Sequence, residues 1–313
     1  EVIVTAQKRE QSLQDVGVAV TAFSENQIRN LGFTNTVDIT AQTPSVQLLE
    51  WSPSYSVFNV RGVSQNDFAD HLEPPVAVYV DDAYISAPGA LNGLLFDMER
   101  VEVLRGPQGT LFGRNATGGL MHFVSNKPTE NSSGYVQASF GERDLIEVEG
   151  AASGTLVKDK VLGRIAVKYQ EQDGYLKTNI RDLAGKDGIA IKGQLQFNLN
   201  SDVEVLLNGR WTENDDLATG GYARDVATVG ADGLGVFVSQ GDPFNNTLST
   251  RGFLDREIYG FGGKVTWDMG NDLELVSITD WFTMDKNYIE DTDGTAAPGF
   301  AFSTLQDFKQ FTQ

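Results

Sequence analysis

From Tyr135 onward the chain falls into segments of roughly ten residues in which apolar and polar positions alternate, the period of strands whose two faces meet different surroundings. The clearest is Ile189 to Asn200. Ile189, Ile191, Leu195, Phe197 and Leu199 share one face, and Ala190, Lys192, Gln194, Gln196 and Asn198 share the other. Val161 to Gln170 repeats the pattern, with Val161, Ile165, Val167 and Tyr169 opposed to Arg164, Lys168 and Gln170. Alternation of this kind predicts strands near 135–142, 145–155, 161–171, 188–200, 203–212, 257–268 and 273–283, and an eighth from about Leu305. A half-buried strand of a soluble sandwich alternates in the same way, so one segment does not decide between sandwich and membrane barrel.

The connections weigh toward the barrel. Those at 158–160, 200–202 and 269–272 are short, whereas 173–187, 213–256 and 284–303 are long and polar. Short turns at one end and long loops at the other are the habit of outer-membrane barrels, with the brief connection at 142–144 an exception. Trp211, Tyr259, Phe261, Trp267 and Trp281 fall near the predicted strand ends, where an interfacial aromatic girdle belongs.

The first 130 residues have a different texture. Val18 to Phe23 predicts a strand, and Ser24 with Gln27 three residues on predicts a capping box and a helix ending near Gly32. A second short helix is expected over about Thr36 to Gln42, ahead of Pro44. Strands follow at Val46–Leu49, Val57–Arg61, Val76–Val80, Arg100–Leu104 and Gly119–Ser125, making a small α+β domain. Asp81 and Asp82 have the look of a catalytic carboxylate pair, but neighbours on a strand face opposite ways, and they are expected to be turn residues.

Composition narrows the functions open to the chain. Its 313 residues carry a formal charge of −19, without the basic patch that nucleic-acid binding needs. There are no cysteines, and the only histidines, His71 and His122, stand too far apart in sequence to make a zinc site by themselves. No apolar run is long enough for a membrane-spanning helix, while a mean hydropathy of −0.24 is compatible with barrel strands. The chain opens at Glu1 without a secretory leader, as a mature or trimmed chain would. No Gly-Lys-Ser/Thr phosphate loop, cofactor fingerprint or paired nucleophile and base is present, so neither catalysis nor a cofactor is expected. Asn115 to Thr117 makes a formal glycosylation sequon, of consequence only in a eukaryotic secretory setting. Two acidic clusters, Glu213, Asp215, Asp216, Asp225, Asp232 and Asp242, then Glu290, Asp291 and Asp293, offer oxygen donors that calcium accepts. They lack EF-hand spacing, and solvated acidic loops are the alternative.

The stretch Asp97 to Pro128, DMERVEVLRGPQGTLFGRNATGGLMHFVSNKP, joins an alternating strand to a run of glycines at Gly106, Gly109, Gly113, Gly118 and Gly119. Gly-rich turns in an unrelated α+β domain are one reading. The stretch resembles the end of the plug domain of TonB-dependent outer-membrane transporters. That resemblance implies an α+β plug domain over 1–130, followed over 131–313 by antiparallel transmembrane β-barrel strands, an incomplete portion of a barrel of about 22 strands. An open sheet leaves unpaired backbone groups in lipid, so the chain is expected to be the N-terminal part of a longer receptor. The implied function is uptake of a scarce nutrient, foremost a ferric siderophore, with oligosaccharide, cobalamin or haem as alternatives. The implied partners are a TonB-type energy-transducing protein, outer-membrane lipid and a small extracellular ligand. Glu1, Val2, Ile3, Val4, Thr5 and Ala6 resemble the TonB box, an ordinary first plug strand being the alternative. Arg61 and Arg105 fall where the family's plug arginines pair with barrel glutamates. By position in the upper loops, Trp51, Tyr55, Gln65, Asn66, Phe68 and His71 are the candidate ligand contacts, with packing against the barrel wall as the alternative. Among other classes, a soluble carbohydrate-binding β-protein fits the alternation but not its Ile, Val, Phe and Leu outer face, and a passive porin does not account for a plug.

Overall fold

The computed structural model describes residues 2–9, 11–33, 35–65, 72–91, 95–219, 228–229, 236–237, 244–292, 294, 296 and 300–313. An inner unit comes first: β1 (Ile3–Val4), β2 (Gln11–Ser12), β3 (Val20–Ser24), α1 (Glu25–Asn30), α2 (Thr36–Ala41), β4 (Val46–Ser52), β5 (Tyr55–Val60), β6 (Val76–Val80), β7 (Ala83–Ile85), β8 (Met98–Arg105), α3 (Gly109–Phe112) and β9 (Gly119–Ser125). Its central sheet has the order β3-β8-β9-β6-β7, parallel only between β6 and β9, while β4 and β5 form a separate hairpin. Every residue of β6 and β9 is buried, which is why β6 reads as an unbroken apolar run and β9 as one interrupted by His122 before it ends at Ser125.

Local chemistry sets the boundaries. The Ser24 N–H donates to Gln27 Oε1 at 3.0 Å, completing the capping box that starts α1. Asn35 and Asp38 cap α2 in the same reciprocal way. At Gly119, φ is +150° and a Cβ would collide with the Leu104 carbonyl oxygen, so only glycine lets β9 begin this close to β8. Asp81 and Asp82 both take positive φ, 49° and 71°, in the tight turn between β6 and β7.

The wall comes second: β10 (Ser133–Gly141), β11 (Leu145–Val157), β12 (Val161–Gln172), β13 (Lys177–Thr178), β14 (Lys186–Asn198), β15 (Val203–Thr219), β16 (Thr228–Val229), β17 (Val236–Phe237), β18 (Asn245–Asn246), β19 (Gly252–Gly270), β20 (Leu273–Asp291) and β21 (Ala301–Thr312). Eight of these make one antiparallel sheet in the order β10-β11-β12-β14-β15-β19-β20-β21. The alternation expected from the sequence is realised as two faces. Ile165 and Phe261 are 54% and 63% exposed on the outer side, whereas Ala166 and Phe282, each 1% exposed, face the inner unit.

Several strands run further than the alternation predicts. β15 continues to Thr219, β19 begins at Gly252, β20 continues to Asp291 and β21 begins at Ala301. A membrane span needs only about ten residues, but a ladder that satisfies its own backbone groups can continue into water with polar side chains, which erases the apolar signature without ending the strand. Glu213, Asp215 and Asp216 therefore lie in β15, and Glu290 and Asp291 in β20, not in loops. Asp225, Asp232, Asp242 and Asp293 lie outside the described residues. For the same reason Trp211, Tyr259, Phe261 and Trp281 sit inside long strands and not at their ends. Trp211 is paired with Tyr259 and Phe261 with Trp281, and Tyr259 meets Trp281 edge-on at 5.8 Å.

Inner unit and wall share one apolar core. Ile258, Phe282 and Met284 of the wall pack into the cluster formed by Phe58, Val78, Met121 and Phe123. Phe96 presses into a patch made by Ala151, Ala166 and Ala190 on three wall strands, where small side chains leave room for the ring.

Candidate functional site

The N-terminal segment is tied into the inner unit. β1 pairs antiparallel with β2, and Val4 and Ala6 are buried against Leu104, Leu120 and Phe112. Thr5 donates its N–H and its hydroxyl to Glu102 Oε1, at 2.8 and 3.2 Å. Arg100 reaches the same oxygen through Nε at 2.8 Å and Thr5 Oγ1 through Nη2 at 3.0 Å. Glu102 faces His122 across the β8–β9 ladder; both are buried, and Glu102 Oε2 and His122 Nδ1 hold no hydrogen bond.

A second group extends this tie to the wall. Asp82 lies 2.9 Å from Lys264 of β19, 3.7 Å from Lys8 and 3.6 Å from His122 Nε2. Burial pushes the Asp82 carboxyl up, but His122, Lys264 and Lys8 overcome it and hold the group at about 2. Burial pushes His122 below the usual imidazole value despite Asp82 and Glu102, so near neutral pH the two lysines hold Asp82 ionised. Lys8 is lowered chiefly by burial, against the pull of Asp82, and its ammonium stands 4.5 Å from the centre of the Phe112 ring. Only the turn role of Asp82 is legible in sequence. A signal for the rest lies in Glu102 and His122, which stand opposite one another in β8 and β9, each between apolar residues.

Elsewhere the wall supplies cations to acceptors on the inner unit. Arg164 grips both oxygens of Asp97 with both side chains buried, and the Asp97 N–H donates to Glu149 Oε1 at 3.0 Å. Arg256 donates to the carbonyls of Gly89 at 2.8 Å and Pro53 at 3.3 Å, and Lys192 to that of Phe96 at 2.8 Å. Lys168 reaches the Leu95 carbonyl at 3.4 Å, Lys286 that of Ser54 at 3.5 Å, and Gln310 that of Tyr84 at 2.6 Å. Apart from the Asp97 N–H on Glu149, these attachments have the opposite polarity to the one expected, in which plug arginines seek wall carboxylates.

The expected arginines are placed as follows. Arg61 is exposed, with φ at 54°, and its Nη1 lies against Gly106, the residue after Arg105. Arg105 is half-buried, its Nη1 is 3.4 Å from the Pro44 carbonyl, and its Nε is buried without a partner. Neither makes an ion pair among the described residues.

Of the six expected ligand residues, three are described. Asn66, Phe68 and His71 lie outside the described residues, as does Glu1. Trp51 belongs to β4, and Gln65 is half-buried beyond β5. Tyr55, the first residue of β5, is buried at 3% exposure. Among the described residues no group of three or more His, Asp or Glu is arranged to hold a metal ion. Asp216 is engaged by Arg181 and Arg251, and Asp291 by Ser249 and Thr250.

A small mixed sheet lodged against the inner face of an antiparallel wall, whose other face is apolar and exposed, is the arrangement of a plug domain against part of a transmembrane β-barrel. Residues 12–120 match the family profile of the TonB-dependent receptor plug domain. The pesticin receptor of Yersinia pestis is 29% identical over 188 residues, covering 58% of this chain and 28% of the relative. The ferripyoverdine receptor of Pseudomonas aeruginosa is 26% identical over 219 residues, covering 70% and 26%. In fold, the chain is similar to the ferric yersiniabactin uptake receptor of Yersinia pestis, with a TM-score of 0.77 at 22% identity over 94% of this chain and 44% of that one. The matched part of the chain thus covers about a quarter of the length of these curated relatives. Residues 12–120 carry the likeness to a TonB-dependent receptor plug domain, and the relatives and solved structures that the chain is similar to are receptors of that kind.

Proposed function

We propose that the chain forms the plug, over residues 1–130, and the first wall strands, over 131–313, of a receptor that takes up a ferric siderophore across the outer membrane. The observation that carries this reading is the way the plug is held. Much of its attachment to the wall is through hydrogen bonds and ion pairs, which water can replace, and the N-terminal segment joins the same network through Thr5 and Glu102. A unit held in this way can be released by a pull on its N-terminus. Glu1 to Ala6 would be the strand offered to a TonB-type protein once Thr5 leaves Glu102. Arg61 and Arg105 would lock onto carboxylates further along the receptor. Trp51, Gln65, Asn66, Phe68 and His71 would meet the ligand from the plug loops. The ferripyoverdine receptor and the ferric yersiniabactin uptake receptor among the similar proteins support an iron complex, and the vitamin B12 transporters of Vibrio vulnificus among the relatives make cobalamin the second reading.

The test is iron-55 uptake by cells carrying the full-length receptor as their only siderophore transporter. Uptake of at least one ferric siderophore, lost without the TonB-type protein, is expected. Removing residues 1–6 should abolish uptake and leave surface binding within about twofold. Saturable binding of cobalamin or an oligosaccharide, with no iron complex bound, would overturn the siderophore reading.

A further inference from the structure

His122 stands where the N-terminal segment, the plug sheet and the wall meet. It is buried in β9, with Tyr79 of β6 edge-on at 6.3 Å, Glu102 opposite in β8, and Asp82 at the β6–β7 turn. The Asp82 N–H donates to His122 Nε2 at 3.3 Å, so the neutral ring carries its hydrogen on Nδ1, which holds no hydrogen bond. Asp82 Oδ1 lies 3.6 Å from that Nε2 and 3.7 Å from the Lys8 ammonium, while Oδ2 holds Lys264 of β19 at 2.9 Å. The imidazole and Lys8 therefore face the same carboxylate oxygen.

Charges around the neutral ring are matched: Asp82, Glu99 and Glu102 stand against Lys8, Arg100 and Lys264. A proton on Nε2 turns it from acceptor to donor, sets it against the Asp82 N–H, and leaves one positive charge in excess. Both conflicts are relieved when Asp82 Oδ1 turns to the imidazolium and one cation leaves. Arg100 is held by Glu99, Glu102 and Thr5, and Lys264 keeps Oδ2. Lys8 is the loosest of the three. Beyond Oδ1 its ammonium meets the rings of Phe112 and Tyr79, 4.5 and 5.3 Å from their centres, and its backbone lies at φ 59°, a conformation unfavourable for lysine.

We propose that His122 is a proton-operated latch on the N-terminal segment: the imidazolium takes Asp82 Oδ1 from Lys8, and residues 2–8 come away from the plug sheet. With Lys8 gone, the segment keeps the buried Val4 and Ala6 and the Thr5 bonds to Glu102, whose charge then also serves the imidazolium across the β8–β9 ladder. The sign follows from where the ring sits in each state. The closed segment keeps it buried and below its usual value, and the open one returns it to water, so acid favours the open form below about pH 6.5. The latch rests on the uptake reading only in that a partner would pull on the freed segment; its opening needs neither cargo nor partner.

The chain contains no cysteine, so a single thiol can carry a nitroxide label. Full-length receptor, cleared of any cysteine elsewhere and folded into lipid vesicles, would be labelled at Ile3→Cys, an exposed position of β1, and compared at pH 7.5 and 5.5 by electron paramagnetic resonance. The ratio of mobile to immobile label should rise about tenfold, the limit for one imidazole that titrates near 6.5 when open and well below 5.5 when closed. A label at Val37→Cys in α2 should stay immobile. His122→Gln should abolish the rise, and Lys8→Gln should raise the mobile ratio already at pH 7.5 and flatten its dependence on pH. No change with pH in the parent, an equal rise in His122→Gln, or a full rise in Lys8→Gln would each overturn the latch. Mobility of both labels at pH 5.5 would overturn it too, because the segment would then be following the unfolding of the plug. If His122→Gln does not fold, the parent and Lys8→Gln titrations still decide. No siderophore and no TonB-type protein enters the experiment, so its failure is separate from failure of the uptake assay.

Discussion

His122 is enclosed between Tyr79, Glu102 and Asp82, and its burial gives the plug a dependence on pH with a definite sign. The folded imidazole titrates below its unfolded value of about 6.5, so below that pH the unfolded chain takes up a proton that the folded chain refuses, and stability falls. Asp82 acts in a lower window. Its folded value of about 2 lies below the unfolded carboxylate, so its contribution is complete above about pH 4 and is lost as pH falls toward 2. Hydrogen-exchange protection of the β8 and β9 amides should therefore drop between pH 7 and 5. His122→Gln should flatten that drop; an equally steep drop in the variant would show that the imidazole is not its source.

At the scale of single elements, the two faces of a wall strand answer to different solvents. Ile165, on the outer face of β12, is predicted to lose about 2 to 4 kcal/mol when replaced by Arg, as an arginine does near the bilayer midplane. Urea titration of the full-length receptor folded into vesicles would measure this, and a change below about 0.5 kcal/mol would mean that the position does not meet lipid. This two-sided chemistry is what makes the strands legible in sequence. Ile189, Ile191, Leu195 and Phe197 announce a lipid face, and Ser24 with Gln27 announces a helix start. The extensions of β15, β19 and β20 are not legible, because beyond the lipid the ladder no longer requires apolar side chains. Turns are legible where their residues tolerate positive φ, as Asp81, Asp82, Asn271 and Asp272 do. The candidate site is the least legible part. Lys168, Lys192 and Arg256 each reach the inner unit through a backbone carbonyl, and a carbonyl acceptor carries no residue type for a reader to find.

For the whole molecule, the plug's hold on the wall depends on a few concentrated points. Asp97 with Arg164 is the most enclosed of them, and Asp97→Ala would leave a buried guanidinium without its carboxylate at a cost of about 3 to 5 kcal/mol. The plug of that variant should become sensitive to protease at a urea concentration that leaves the parent intact, while the β-sheet signal of the wall is unchanged. Unchanged protease sensitivity would mean that the apolar contacts of Phe96 and Phe282 hold the plug without the ion pair.

Most of the remaining moorings end on main-chain carbonyls, those of Pro53, Ser54, Tyr84, Gly89, Leu95 and Phe96. A carbonyl is the same group whichever residue carries it. Substitutions in these loops that keep the backbone path leave the anchoring intact, so a lineage of such receptors can exchange the loop chemistry that meets new ligands without redesigning the machinery that holds the plug in place.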